Sequence, residues 1–150
     1  MRIFVDADAC PVRDIVYQEA HRRGVPVIMV VSMAHEISAK EGIDVIRVDS
    51  AFQAVDMAIV NRVVSGDIVV TSDFGLASIV LVKGAKGISP SGRIYFEQNM
   101  DTLLEKRHVA ARQRRGGRRI KGPRARKRGD NELFRGNFIK LIEEGSPPHV

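Results

Sequence analysis

Four aspartates carry the chemistry this chain offers. Asp6 and Asp8 stand just beyond a short apolar run, Ile3-Phe4-Val5, that reads as a buried strand. Asp73 ends a second such run, in Gly66-Asp-Ile-Val-Val-Thr-Ser-Asp73. Asp56 projects onto the apolar helical face of Phe52, Val55, Ile59 and Val63, where an isolated carboxylate is costly unless something partners it. Crowded carboxylates repel, and the commonest offset is a divalent cation held by hard oxygen ligands. Without His or Cys among them, such a set specifies Mg2+ or Mn2+ rather than zinc. A water on such an ion can attack a phosphodiester, and a pair of ions can steady the attacking and leaving oxygens together. Thr71 and Ser72, beside Asp73, are placed to orient a carboxylate or a phosphate oxygen.

Each of these residues also has a simpler role open to it. Asp8 could cap the helix expected after Pro11, and Asp73 the helix that follows it, since Asp is a favoured N-cap. Asp49 ends a strand too, but Ser50 reads as the cap of a capping box with Gln53, and Asp49 is set aside on that ground. Asp67 precedes its strand. At about 3.3 Å per residue it lies roughly 20 Å from Asp73 and belongs to a turn at the opposite edge. Cys10, the single cysteine, excludes an internal disulfide and a cysteine-based zinc site, and reads as a small buried thiol. His108 sits among basic residues and reads as a solvated or phosphate-contacting side chain.

Strands and helices alternate around these aspartates. Strands are expected at Ile3–Val5, Val27–Val31, Val45–Val48 and Ile68–Val70, with a further short one at Arg93–Phe96. Helices are expected over Pro11–Arg23, Ala51–Val64 and Phe74–Val82, while 33–42 reads as a helical turn and a loop. The pattern predicts an α/β fold: a mainly parallel central sheet flanked by helices. Ligands of such sheets bind beyond the carboxyl ends of the strands, where Asp6, Asp8 and Asp73 fall. A helix is expected from Asn99 through Leu103-Leu104, broken at Gly116-Gly117 and Gly122-Pro123. A last amphipathic helix is expected over 130–145, capped by Asp130 or Asn131. The expected organisation is an α/β body over 1–105, a partly disordered basic arm over 106–129, and that final helix in the same domain.

Charge divides the chain. The formal net charge is +6, but residues 1–105 hold ten basic and fourteen acidic side chains, a net of −4. The arm holds twelve basic residues and no acidic one: Lys106, Arg107, Arg112, Arg114, Arg115, Arg118, Arg119, Lys121, Arg124, Arg126, Lys127 and Arg128. That asymmetry points to RNA or another nucleic acid as partner. With no Trp and two Tyr, base stacking on aromatic rings is not expected to dominate recognition. The acidic turn directly after Val5 argues against a secretory leader, no apolar stretch approaches membrane length, and a lone cysteine suits a reducing compartment. A soluble cytoplasmic protein is expected.

Asp6-Ala-Asp8-Ala-Cys-Pro11, Gly66-Asp-Ile-Val-Val-Thr-Ser-Asp73, Arg107-His108 and Lys121-Gly-Pro123 together resemble the bacterial YaiI/YqxD family over nearly the whole chain. That family is grouped with PIN-like nucleases. The stretch from Asp56 to the strand ending Thr71-Ser-Asp73 also resembles the general PIN pattern. The resemblance implies a PIN-like fold and a metal-dependent ribonuclease site with Asp6, Asp56 and Asp73 as ligands, Asp8 being peculiar to the narrower family. Two other readings stay open. Asp6-x-Asp8 after a first strand also opens haloacid-dehalogenase-type phosphatases, although Cys10 replaces their usual Thr or Val and Asp67 precedes its strand where their late acidic motif follows one. A non-catalytic RNA-binding protein using the basic arm alone is the third.

Overall fold

Ile3, Phe4 and Val5 are all fully buried, which requires a strand covered on both faces. The computed structural model describes residues 1–8, 10–33, 42–51, 53–97, 100, 126 and 128–145, and in it these residues form the central strand of a six-stranded sheet. The strands are β1 (Ile3–Asp6), β2 (Val27–Ser32), β3 (Ile43–Val48), β4 (Ile68–Val70), β5 (Lys86–Ile88) and β6 (Ile94–Tyr95). Their order is β3-β2-β1-β4-β5-β6, all parallel except β6, which pairs antiparallel with β5. The helices are α1 (Arg13–Arg22), α2 (Ala54–Arg62), α3 (Phe74–Val82) and a C-terminal α4 (Arg128–Gly145).

The strand pleat sorts the core into two layers. Ile3, Val5, Val27, Met29, Val31, Ile68 and Val70 face α1 and α4, where they meet Val12, Val16, Phe134, Phe138, Leu141 and Ile142. Phe4, Ile28, Val30 and Val69 face the other way, against Ala58 and Ile59 of α2 and Leu76 and Val80 of α3. The uninterrupted apolar runs of β1, β2 and β4 follow from this two-sided burial. Each large side chain so buried contributes about 1.5–3 kcal/mol.

Helix α4 is held by more than apolar packing. Glu19 of α1 is 1% exposed and accepts hydrogen bonds from Arg23 and from Arg135 of α4. Burial pushes the Glu19 carboxyl up, but Arg23, Arg135 and Arg22 outweigh it and hold the group below the usual carboxylate range. At the hairpin between β5 and β6, Gly92 has φ +95, and a Cβ there would come within 2.9 Å of Leu133 and of the Phe134 nitrogen. Only glycine lets that turn lie against α4.

Several expectations change in detail. Strand β5 has no counterpart in the sequence reading, because Lys86-Gly87-Ile88 is too short and too mixed to stand out. Helix α2 begins at Ala54, and its N-cap is Gln53, in the left-handed region at φ 63 with no side-chain cap bond. The expected capping box from Ser50 is therefore absent; the chain continues past Ser50 before it coils. Helix α1 has Val12 as its N-cap and no side-chain cap either. Helix α4 starts at Arg128, so Asp130 lies in its first turn rather than before it. Arg126 donates from Nε to Asn131 Oδ1 at 2.9 Å and from Nη1 to the Pro90 carbonyl at 2.7 Å. Phe52, the helix expected from Asn99 and the rest of the basic arm up to Lys127 lie outside the described residues. Among the described residues, no helix is long and apolar enough to cross a membrane.

Candidate active site

The chain runs β1, β2, β3 outward, then returns to place β4 on the other side of β1. That reversal makes a crevice at the carboxyl ends of β1 and β4, the place where open α/β sheets bind ligands. Asp6 is the last residue of β1 and Asp73 follows β4, so strand order sets them side by side. Thr71 joins them. Its hydroxyl donates to Asp6 Oδ2 at 3.0 Å, and its oxygen accepts from the Asp73 backbone N–H at 3.0 Å. Thr71 is 1% exposed, and its own carbonyl accepts a bond from the buried Tyr95 hydroxyl at 3.0 Å. Thr71 thus orients a carboxylate; Ser72 is exposed beside it.

Asp73 does two things. Its Oδ1 accepts from Leu76 N at 3.2 Å and so caps α3, and its carboxyl group also meets Asp56 of α2. Burial, the Asp73 charge, a hydrogen bond shared with the Asp73 carboxyl and then the Asp6 charge push Asp56 up to about 6. The nearby like charge disfavours ionisation of Asp56, and burial adds to the effect. Asp6 is also raised, first by burial and then by Asp8 and Asp73, against the lowering effect of the Thr71 hydroxyl. Asp8 turns its Oδ1 toward Ser32 N, at 2.8 Å, tying the end of β1 to the end of β2. It caps no helix.

Asp6, Asp8, Asp56 and Asp73 line one cavity of about 530 Å³, open at the sheet edge. Asp49, set aside from sequence, lines it too. It directly follows β3, and only the cap expected at Ser50 argued against it. No Lys, Arg or His stands among the described residues lining this space. Gly75 does, and a Cβ there would press within 3.1 Å of Asp73 Oδ1. Apolar side chains line the cavity as well: Val55, Met57 and Val60 of α2 with Leu76 and Ile79 of α3. Asp67 lies at the other end of the sheet, as expected. It is 2% exposed and accepts from Arg2 N at 3.0 Å, from the Arg2 guanidinium at 3.1 Å and from Val64 N at 2.9 Å. A phosphatase site using Asp67 with Asp6 and Asp8 is therefore not assembled.

The donor set suits a hard divalent cation, since every charged group in the described lining is a carboxylate, and acidic neighbours help to raise Asp6 and Asp56. Among the described residues, no three such side chains close on a common point tightly enough to hold an ion as they stand. Mg2+ needs only one or two carboxylates, with water and phosphate oxygens completing its shell. Asp56 and Asp73, adjacent carboxylates on α2 and at the start of α3, fit that demand.

Residues 4–144 match the model of the family described as "Uncharacterized BCR, YaiI/YqxD family". A UPF0178 protein of Clostridium novyi is 44% identical over 144 residues, 96% of each chain. One from Bacillus anthracis is 40% identical over 144 residues, covering 95% of this chain and 99% of its own. Among solved structures, the crystal structure of Rae1 (YacP) from Bacillus subtilis aligns over 96% of this chain and 99% of that one, at 16% identity and a TM-score of 0.44. With its sequence matched almost end to end, the chain belongs to the YaiI/YqxD family.

Proposed function

We propose that this protein is a PIN-like, metal-dependent phosphodiesterase that cleaves RNA at the cavity beyond β1 and β4. One observation carries the reading: carboxylates from four separate elements line one crevice, and burial together with Asp73 pushes Asp56 up to about 6. Like charges gathered in a partly desolvated crevice repel one another, so the arrangement suits a cationic occupant. Mg2+ or Mn2+ would be held by Asp56 and Asp73, with Asp6 and Asp8 as further or water-mediated ligands. Bound there, the ion would supply an activated water and charge neutralisation at a phosphate. The chain's own residues do the positioning. Thr71 fixes Asp6 relative to Asp73, the α3 N-terminus holds Asp73, and Ser32 holds Asp8. The arm from Lys106 to Arg128 supplies the attraction for a phosphate backbone that the acidic body lacks.

The test is the double variant Asp6→Asn with Asp73→Asn. Asn caps a helix about as well as Asp, so α3 keeps its cap and only charge is lost. Mn2+-dependent RNA cleavage should vanish, while Asp44→Asn, an exposed change on β3 outside the cavity, should leave it intact. Mn2+ at a hundredfold excess over its Kd should stabilise the wild type by about 2.7 kcal/mol, and the double variant far less. Equal metal-induced shifts in Tm for both proteins would sink the metal site, and equal cleavage would sink the catalytic assignment.

A further inference from the structure

Beside its carboxylate floor, the cavity has an apolar wall drawn from α2 and α3. Met57 and Ile79 are 55% and 46% exposed, and Val60 lies between α2 and α3 with them. Met57 follows Asp56 on α2 and Val60 lies one helical turn on from it, so apolar surface adjoins that carboxylate on one helix. A specific protein contact spreads over about 800 Å² of each partner, whereas these side chains line a single cavity of about 530 Å³. That volume falls instead within the range of about 300–1,000 Å³ typical of sites for small-molecule-sized groups. Floor and wall are parts of one space, so a ligand whose phosphate reaches the carboxylates lays its neighbouring group on Met57 and Ile79. In a nucleic acid that group is a base.

We propose that Met57, Val60 and Ile79 form a shelf that takes the face of an unstacked base next to the phosphate held at the carboxylates. This rests on the phosphodiesterase reading above and adds the residues that govern substrate choice. The shelf offers no side-chain donor or acceptor, so it holds a base by area rather than by its hydrogen-bonding edge. Met57 adds adaptability, since its thioether side chain is unbranched and polarizable. The consequence is preference for any base over none, and for the larger purines over pyrimidines. A paired base cannot lie there, because its face is covered by its stack.

The experiment compares two ligands of equal length and charge: a short oligoadenylate and the corresponding abasic oligomer. Equal charge cancels the contribution of the basic arm. Affinities are measured by fluorescence anisotropy in Ca2+, and cleavage separately in Mn2+. The wild type should prefer oligoadenylate by about 5-fold, the bottom of the range for a base on an aromatic ring, since the shelf offers area without a ring. Met57→Ser with Ile79→Ser should bring that ratio toward one, with Met57→Ser alone in between and Met57→Leu close to wild type. Melting curves establish that each variant is folded, and both positions are exposed enough for serine. Equal wild-type affinities, or an undiminished preference in the folded double variant, would overturn the shelf even if Mn2+-dependent cleavage is found. A preference lost in the variant without any cleavage by the wild type would support the shelf and remove the phosphodiesterase. Dimerisation abolished by the double variant, with no preference for bases, would assign the wall to a second copy of the chain and overturn the proposal.

Discussion

Asp56 and Asp67 are both acids near strand ends, and their surroundings separate them. Asp67 accepts three hydrogen bonds at the amino edge of the sheet. Asp56 meets other carboxylates and is pushed up to about 6 from 3.8, by burial first and Asp73 next. The folded protein therefore binds that proton more tightly than the unfolded chain does. The associated stability is fully present below the unfolded pKa and is lost as pH rises through the folded one, from about 4 to about 6. Asp56→Asn removes this dependence. Without metal, the variant should gain on the wild type as pH rises through that window, and the gain should level off above it. Urea midpoints across the range check this; a constant offset between the proteins would contradict the placement of Asp56.

At the scale of elements, the docking of α4 on α1 depends on one buried acid. Glu19 satisfies itself through Arg23 on its own helix and Arg135 on the other. Arg135→Met keeps much of the side-chain bulk but leaves Glu19 with fewer donors. It should cost about 1.5–3 kcal/mol, the range for hydrogen bonds to a charged group. Because the folded state holds the Glu19 carboxyl down, the stability it contributes is present above the unfolded carboxylate pKa of about 4.3 and lost as pH falls through the lower folded value. The penalty of Arg135→Met should thus shrink in acid, opposite in sign to the Asp56 effect. Thermal unfolding of both proteins at neutral and acidic pH measures it, and a pH-independent penalty would mean that Arg135 acts by packing alone. Helix α2 carries a different lesson. Gln53 adopts φ 63 at its start, a conformation costing a non-glycine residue about 1–2 kcal/mol, and it lies on the cavity lining.

For the whole molecule, the division of charge between body and arm makes the next prediction. The described cavity lining carries carboxylates and no cation, so affinity for a polyanion must come from elsewhere on the chain. Replacing Arg112, Arg114, Arg115, Arg118 and Arg119 by Gln leaves Arg126 and the start of α4 untouched. If each contacts one phosphate of a single strand, the slope of log K against log salt should flatten by about 3.5, at about 0.7 per phosphate. Titrations of binding between low and moderate salt read that slope directly. An unchanged slope would place the nucleic-acid surface away from the arm.

The amino-acid sequence by itself determined the alternation of strands and helices, because strands buried on both faces must be continuously apolar and the helices between them need not be. It also put Asp6, Asp8 and Asp73 at carboxyl ends of strands, Asp67 at the other end, and the cations in one run. Residue type and short uninterrupted apolar runs suffice for those. Which carboxylates share a space was decided only by the tertiary structure. Strand β4 lies against β1 rather than beyond β3, and no local pattern records that order. It sets Thr71 between Asp6 and Asp73. The late start of α2 falls outside local pattern as well. Ser50 and Gln53 have the spacing of a capping box, yet the chain coils only from Ala54. Asp49 reaches the cavity lining for the same reason. Glu19 was invisible in the same way: its partner Arg135 is 116 residues away, and only the packing of α4 on α1 brings the two charges together.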